Sequence, residues 1–161
     1  MLMIIFINGS INAGKTTVSK ILQDKIPKTA LVEMDSLRDF IGWLPIDEAI
    51  PITHDNGISV IKNFIEAGFN VIVPYPLSSK SYNKFTNALK PLKTDIYAFT
   101  LSPEIEAAVT NRGNRELDQK EVDRIHHHYK IGINNPGYGV VINNTDQTPE
   151  ETAEEILREI S

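Results

Sequence analysis

IIFINGSINAGKTT, residues 4–17, reads as an apolar strand that runs straight into the octapeptide Gly9-Ser10-Ile11-Asn12-Ala13-Gly14-Lys15-Thr16. The octapeptide fits G-x-x-x-x-G-K-[ST], a loop whose successive backbone N–H groups turn inward and cradle the phosphates of a nucleotide. Lys15 supplies a point charge for the β- and γ-phosphate oxygens, and the Thr16 hydroxyl is a ligand for Mg²⁺. Val18, Ile21, Leu22 and Ile26 recur at helical spacing directly afterwards, completing strand, loop and helix. The helix adds its positive N-terminal end to the same anion site, so residues 9–17, Thr17 included, form the candidate nucleotide-binding stretch.

Working outward, the chain of 161 residues suits a single domain, 1–161, with room for one core. Its 41% hydrophobic and 23% charged residues are ordinary for a soluble globular protein. A formal charge of −5 provides no basic field for nucleic acid or acidic membrane. The absence of cysteine excludes disulfides, thiolate nucleophiles and zinc–thiolate sites. The apolar N-terminus is too short to span a bilayer and lacks a basic leader region, so a cytoplasmic location, where ATP and Mg²⁺ are at hand, is expected.

Apolar runs alternate with helical patterns along the chain. Strands are expected over 3–8, 30–34, 70–73, 94–101 and 139–142. Helices are expected over 15–25, 57–67, 80–89, 118–130 and from Thr148 to the end, with another opened by Ser102-Pro103 and running to about Thr110. The stretch holding Trp43, Pro45 and Pro51 reads as irregular. Asp118 with Glu121, and Thr148 with Glu151, have the spacing of capping boxes. Short uninterrupted apolar strands separated by helices indicate an α/β fold with a parallel sheet covered on both faces. Ligands in such sheets sit beyond the carboxyl ends of the strands, so the residues found there are the candidates.

Asp35 follows the second strand and faces the phosphate loop, either as the base for an acceptor hydroxyl or as a ligand of a magnesium-bound water; it also suits the N-cap of a helix over 36–41. Glu33, two residues earlier on the same face of a strand, could assist with metal-bound water. Arg38, one turn beyond Asp35, could hold an acidic or polar acceptor. Arg112-Gly113-Asn114-Arg115 sets two arginines on a connection that Gly113 lets flex, suited to neutralising charge on a transferred phosphoryl group; Arg124 is a weaker third. Trp43, Tyr75, Tyr82 and His54 could line an acceptor pocket, with Asp55 as a cap. His126-His127-His128 does not converge on one ion, because adjacent helical residues point about 100° apart; at least two should face solvent.

These segments together resemble the small P-loop kinases of the nucleoside-monophosphate-kinase-like group. The nearest branch is the chloramphenicol phosphotransferase-like one, with shikimate kinases and tunicamycin-resistance-type proteins further off. The resemblance rests on residues 4–17, on Met34-Asp35-Ser36-Leu37-Arg38, on AGFNVIVP at 67–74, on Arg112 to Arg115 and on NNTDQTPEE at 143–151. It implies a three-layer P-loop NTPase fold with a five-stranded parallel sheet in the order 2-3-1-4-5 and a small helical lid at about 111–130. It implies ATP as donor, Mg²⁺ as cofactor and a carboxylate base that falls on Asp35. The lid arginines fall on Arg112 and Arg115, and the adenine-side loop on Asn144 and Thr145. Pro74-Tyr75-Pro76 departs from the acidic residues that the chloramphenicol branch carries there. The region between the second strand and Gly57 is also shorter and differently composed, and it usually shapes the acceptor pocket.

The leading expectation is an ATP-dependent small-molecule O-kinase with Lys15, Asp35, Arg112 and Arg115 as its catalytic set and Arg38 and Tyr75 at the acceptor. A nucleoside or nucleotide kinase is the second, with a base stacked on Trp43 or Tyr75. A nucleotide-binding switch or kinase relic is the third, although no N-K-x-D signature supports guanine specificity.

Overall fold

Along β1 (Met3–Gly9) the side chains from Ile4 to Ile7 are all fully buried, Ile4 and Phe6 toward one face and Ile5 and Ile7 toward the other. A strand apolar on both faces has to be central and covered twice. The computed structural model, which describes residues 1–110 and 116–161, bears this out. β1 pairs with β3 (Asn70–Pro74) and with β4 (Asp95–Leu101). β2 (Thr29–Leu31) lies beyond β3 and β5 (Val140–Ile142) beyond β4, all parallel, in the order 2-3-1-4-5.

On the Ile5 side, α1 (Lys15–Lys25) contributes Leu22, and α7 (Pro149–Glu159) contributes Ala153 and Ile156. On the Phe6 side, α3 (Ile46–Glu66) contributes Ile61, and α4 (Ser79–Leu89) contributes Phe85, which meets Phe6 edge to face. The short helices α2 (Met34–Asp39) and α5 (Ile105–Ala108) lead off the carboxyl ends of β2 and β4. α6 (Gln119–Lys130) buries Ile125 and His128 and opens with the expected capping box on Asp118 and Glu121. The box on Thr148 and Glu151 opens α7. Among the described residues no helix is long and apolar enough to cross a membrane.

Three local expectations are overturned. The irregular region ends at Pro45, and α3 continues through Pro51, 21 residues in all. Ala49, Thr53, His54, Gly57, Ile58, Ile61 and Ile65 form one buried stripe that runs past Pro51, which itself faces solvent. Burial along that stripe outweighs the hydrogen bond that proline cannot donate. His54 and Asp55 therefore sit within the helix; Asp55 pairs with Lys84 at 2.9 Å and caps nothing. β2 stops at Leu31, so Glu33 and Asp35 do not share a strand face. Asp35 lies in the first turn of α2, two residues past the N-cap position, which Glu33 holds. Finally, the helix expected from Ser102-Pro103 begins only at Ile105, because the Ser102 N–H is taken by Ile142 O and the Glu104 N–H by Thr145 Oγ1.

Candidate active site

The loop leaves β1 at Gly9, whose φ is 146° and where a Cβ would lie 2.8 Å from the Leu101 carbonyl. Only glycine fits that close, left-handed exit. Asn12 (φ 63°) and Gly14 (φ 99°) complete the turn into α1. Asn12 Nδ2 donates to Ala108 O at 2.9 Å and to Thr110 O at 2.7 Å, tying the loop to the end of α5. Asn144 Nδ2 donates to Ala13 O at 2.9 Å and braces the loop from beyond β5. Ser10 Oγ and His128 Nδ1 are hydrogen-bonded at 2.9 Å, both residues buried, so α6 holds the loop from the other side. A buried carboxamide anchors the base of this arrangement: Asn8 Nδ2 donates to Thr100 Oγ1 and Ile133 O, and Asn8 Oδ1 accepts from Leu77 N–H.

Lys15 Nζ folds back to donate to Ser10 O at 2.6 Å. Burial pulls its pKa down from 10.5 to about 8, and the nearby Asp35 charge works against that fall. A half-buried ammonium beside the loop that opens α1 is an arrangement suited to an anion. His128 is driven further, from 6.5 to about 4, by burial first and then by Arg124, Lys15 and His127, so it stands neutral at pH 7.

Two cavities flank the loop. The smaller, about 390 Å³, is lined by residues 12–18 together with Asn144, Gln147 and Pro149. Thr16 and Thr17 are exposed in it. Thr145 is engaged instead with Asn143 Oδ1 at 2.6 Å and with the Glu104 N–H at 2.8 Å. The larger, about 740 Å³, brings together Ile11 of the loop, Asp35 and Arg38 of α2, Tyr75 after β3, His54 of α3, and Arg124 and His128 of α6. His54 meets Tyr75 edge to face. Trp43 is 81% exposed and belongs to neither the core nor this lining. Tyr82 stacks on Tyr138 with centroids 3.9 Å apart. Arg112 and Arg115 lie outside the described residues.

Among the described residues no cluster of three or more His, Cys, Asp or Glu could hold a metal by itself. His126 and His127 face solvent, while His128 is inside. The donor set, one hydroxyl at the start of α1 and one carboxylate across the loop, fits a Mg²⁺ that shares its coordination with nucleotide phosphates and water.

Sequence reasoning missed His128, Gln147 and Pro149. His128 had a signal: it lies three residues after Ile125, on the apolar stripe of α6. Gln147 had none, since its place in the lining depends on the path of the chain after β5.

Strand order and phosphate loop together define a P-loop NTPase fold. Many solved structures share it, three of them as follows. A tunicamycin resistance protein of Deinococcus radiodurans is 19% identical, with a TM-score of 0.69 over 100% of this chain and 96% of that one. The Mycobacterium tuberculosis APS kinase, solved with AMPPNP and APS, is 17% identical with a TM-score of 0.71 over 99% and 97%. A sugar kinase of a Janibacter species is 15% identical with a TM-score of 0.72 over 99% and 94%. No family profile and no curated protein sequence matches this chain.

Proposed function

We propose that this protein is an ATP-dependent phosphotransferase that moves the γ-phosphate to a hydroxyl of a small molecule. The carrying observation is that one phosphate loop contributes to the walls of two cavities, with Lys15 and Thr16 lining one and Asp35 the other, close enough for its charge to act on Lys15. The fold likeness to an APS kinase solved with AMPPNP supports the nucleotide side.

In this reading the loop N–H groups and Lys15 hold the β- and γ-phosphates. Asp35 takes the proton of the acceptor hydroxyl as its oxygen forms the new bond to phosphorus, and the bond to the β-phosphate oxygen breaks to leave ADP. Thr16, with Asp35 through water, would hold Mg²⁺, whose charge offsets that of the phosphates. Arg112 and Arg115 neutralise the transferring group. Asn144 supports the nucleotide side through Ala13. The protein works as a cytoplasmic enzyme on free small molecules, with neither nucleic acid nor membrane as partner.

The test is ADP release from ATP and Mg²⁺ across a panel of hydroxylated metabolites, nucleosides and antibiotics. Stimulation by an acceptor is expected. Asp35→Asn should lower that turnover at least about a hundredfold, the usual contribution of a general base, while leaving ATP affinity nearly unchanged. Full activity in that variant would remove Asp35 from the base role. Turnover that no acceptor stimulates would favour a nucleotide-binding switch.

A further inference from the structure

The larger cavity brings two guanidinium groups to one chamber from different elements, Arg38 from α2 and Arg124 from α6. Among the described residues neither has an ion-pair partner; the ion pairs there, Lys25 with Glu154 and Lys84 with Asp55, do not involve them. Asp35 precedes Arg38 by three residues, on the same side of α2, yet does not pair with it. Tyr75 connects the three charges. Burial and Asp35 raise its pKa, and Arg38 and Arg124 pull it back, so the phenol lies within electrostatic reach of both arginines and keeps its proton at neutral pH. The rest of the wall is apolar in large part, with Ile46, Ile50, Ile131 and Ile133.

Two guanidinium groups with no ion-pair partner among the described residues line one partly apolar chamber and are well suited to an oxyanion, since a guanidinium fork matches carboxylate, phosphate and sulfate alike. The volume of about 740 Å³ is that of a site for an organic molecule, well beyond a bare inorganic ion.

We propose that the acceptor is a hydroxylated organic anion whose carboxylate, phosphate or sulfate group is held by Arg38 and Arg124, with the Tyr75 hydroxyl as a further donor and the isoleucines against its apolar body. The identity of this molecule as an acceptor rests on the phosphotransfer reading; the anion seat does not. Asp35 lies on the same side of α2 as Arg38 and lines the same chamber, which sets the proposed base beside the anion seat. Asp47 also lines the chamber and disfavours a second anionic group.

The test uses the full chain saturated with AMPPNP and Mg²⁺, which occupies the phosphate loop as a competing anion site. Hydroxy acids and hydroxylated organophosphates are titrated alongside their neutral amide or dephosphorylated counterparts, with binding read by ligand-observed NMR. Anionic members should bind, and Arg38→Gln or Arg124→Gln should each weaken them by on the order of tenfold, as expected for a lost charged hydrogen bond. AMPPNP affinity, unchanged in both variants, reports that they remain folded. Equal binding of the neutral counterparts, unchanged affinity in the variants, or no binding by any anionic member overturns the proposal. ADP release with the same panel separates the two readings. Arginine-dependent binding without turnover keeps the anion seat and removes phosphotransfer. Turnover stimulated only by neutral members keeps phosphotransfer and removes the anion seat.

Discussion

Lys15 is a half-buried cation whose surroundings disfavour its charge, and that makes nucleotide binding depend on pH. In the free protein its pKa is about 8, because burial outweighs the help of Asp35. Phosphates placed against it favour the ammonium and raise that value, so binding above pH 8 must take up a proton. Affinity for ATP should therefore be level below about pH 7 and fall as pH rises through 8, by at most about tenfold per unit. Calorimetry in buffers of different ionisation enthalpy checks this; constant affinity and no proton uptake between pH 7 and 9.5 would contradict it. Lys15 was legible in the sequence because its role is written in a local motif. The contact between Ser10 and His128 was not, since 118 residues separate the partners and no local pattern joins them.

Among the elements, α3 shows how burial overrides a local signal. Pro51 removes an N–H donor and crowds the preceding turn, so the sequence pattern begins the helix only at Gly57. The stripe from Ala49 to Ile65 nevertheless packs as one face, and it brings Ile46, Ile50 and His54 to the larger cavity. Gly57 proves to be a packing residue: the Met34 thioether lies where its Cβ would be, so α2 and α3 meet there. This seam sets the position of Asp35, the neighbour of Met34. Because Pro51 faces solvent, Pro51→Ala should restore the missing hydrogen bond without disturbing the core and stabilise the protein by about 1–2 kcal/mol, less the entropy that proline removes from the unfolded chain. Denaturant unfolding measures it; a loss of stability would mean that the proline is needed for the helix's path.

For the molecule as a whole, the sheet and its site are joined through α6, which carries Ile125 into the interior and His128 to the phosphate loop. His128 stays neutral in the folded protein down to about pH 4 and takes a proton near pH 6.5 when unfolded. The unfolded chain thus binds more protons between those values. The contribution is complete above pH 6.5 and is lost as pH falls toward 4, by on the order of 2–3 kcal/mol at most. His128→Asn, which retains a polar group for Ser10, should flatten the acid limb of stability against pH; an unchanged limb would show that other groups carry it. The sequence by itself determined the central strand, the phosphate loop, the parallel sheet and the two capping boxes, because each is a periodic or contiguous pattern that burial and local hydrogen bonding enforce. Only the tertiary structure decided that α3 runs through its proline, that His128 grips Ser10, and that Arg38, Tyr75 and Arg124 share a chamber. Those depend on residues distant in the chain being packed together, and packing between elements leaves no trace in local spacing.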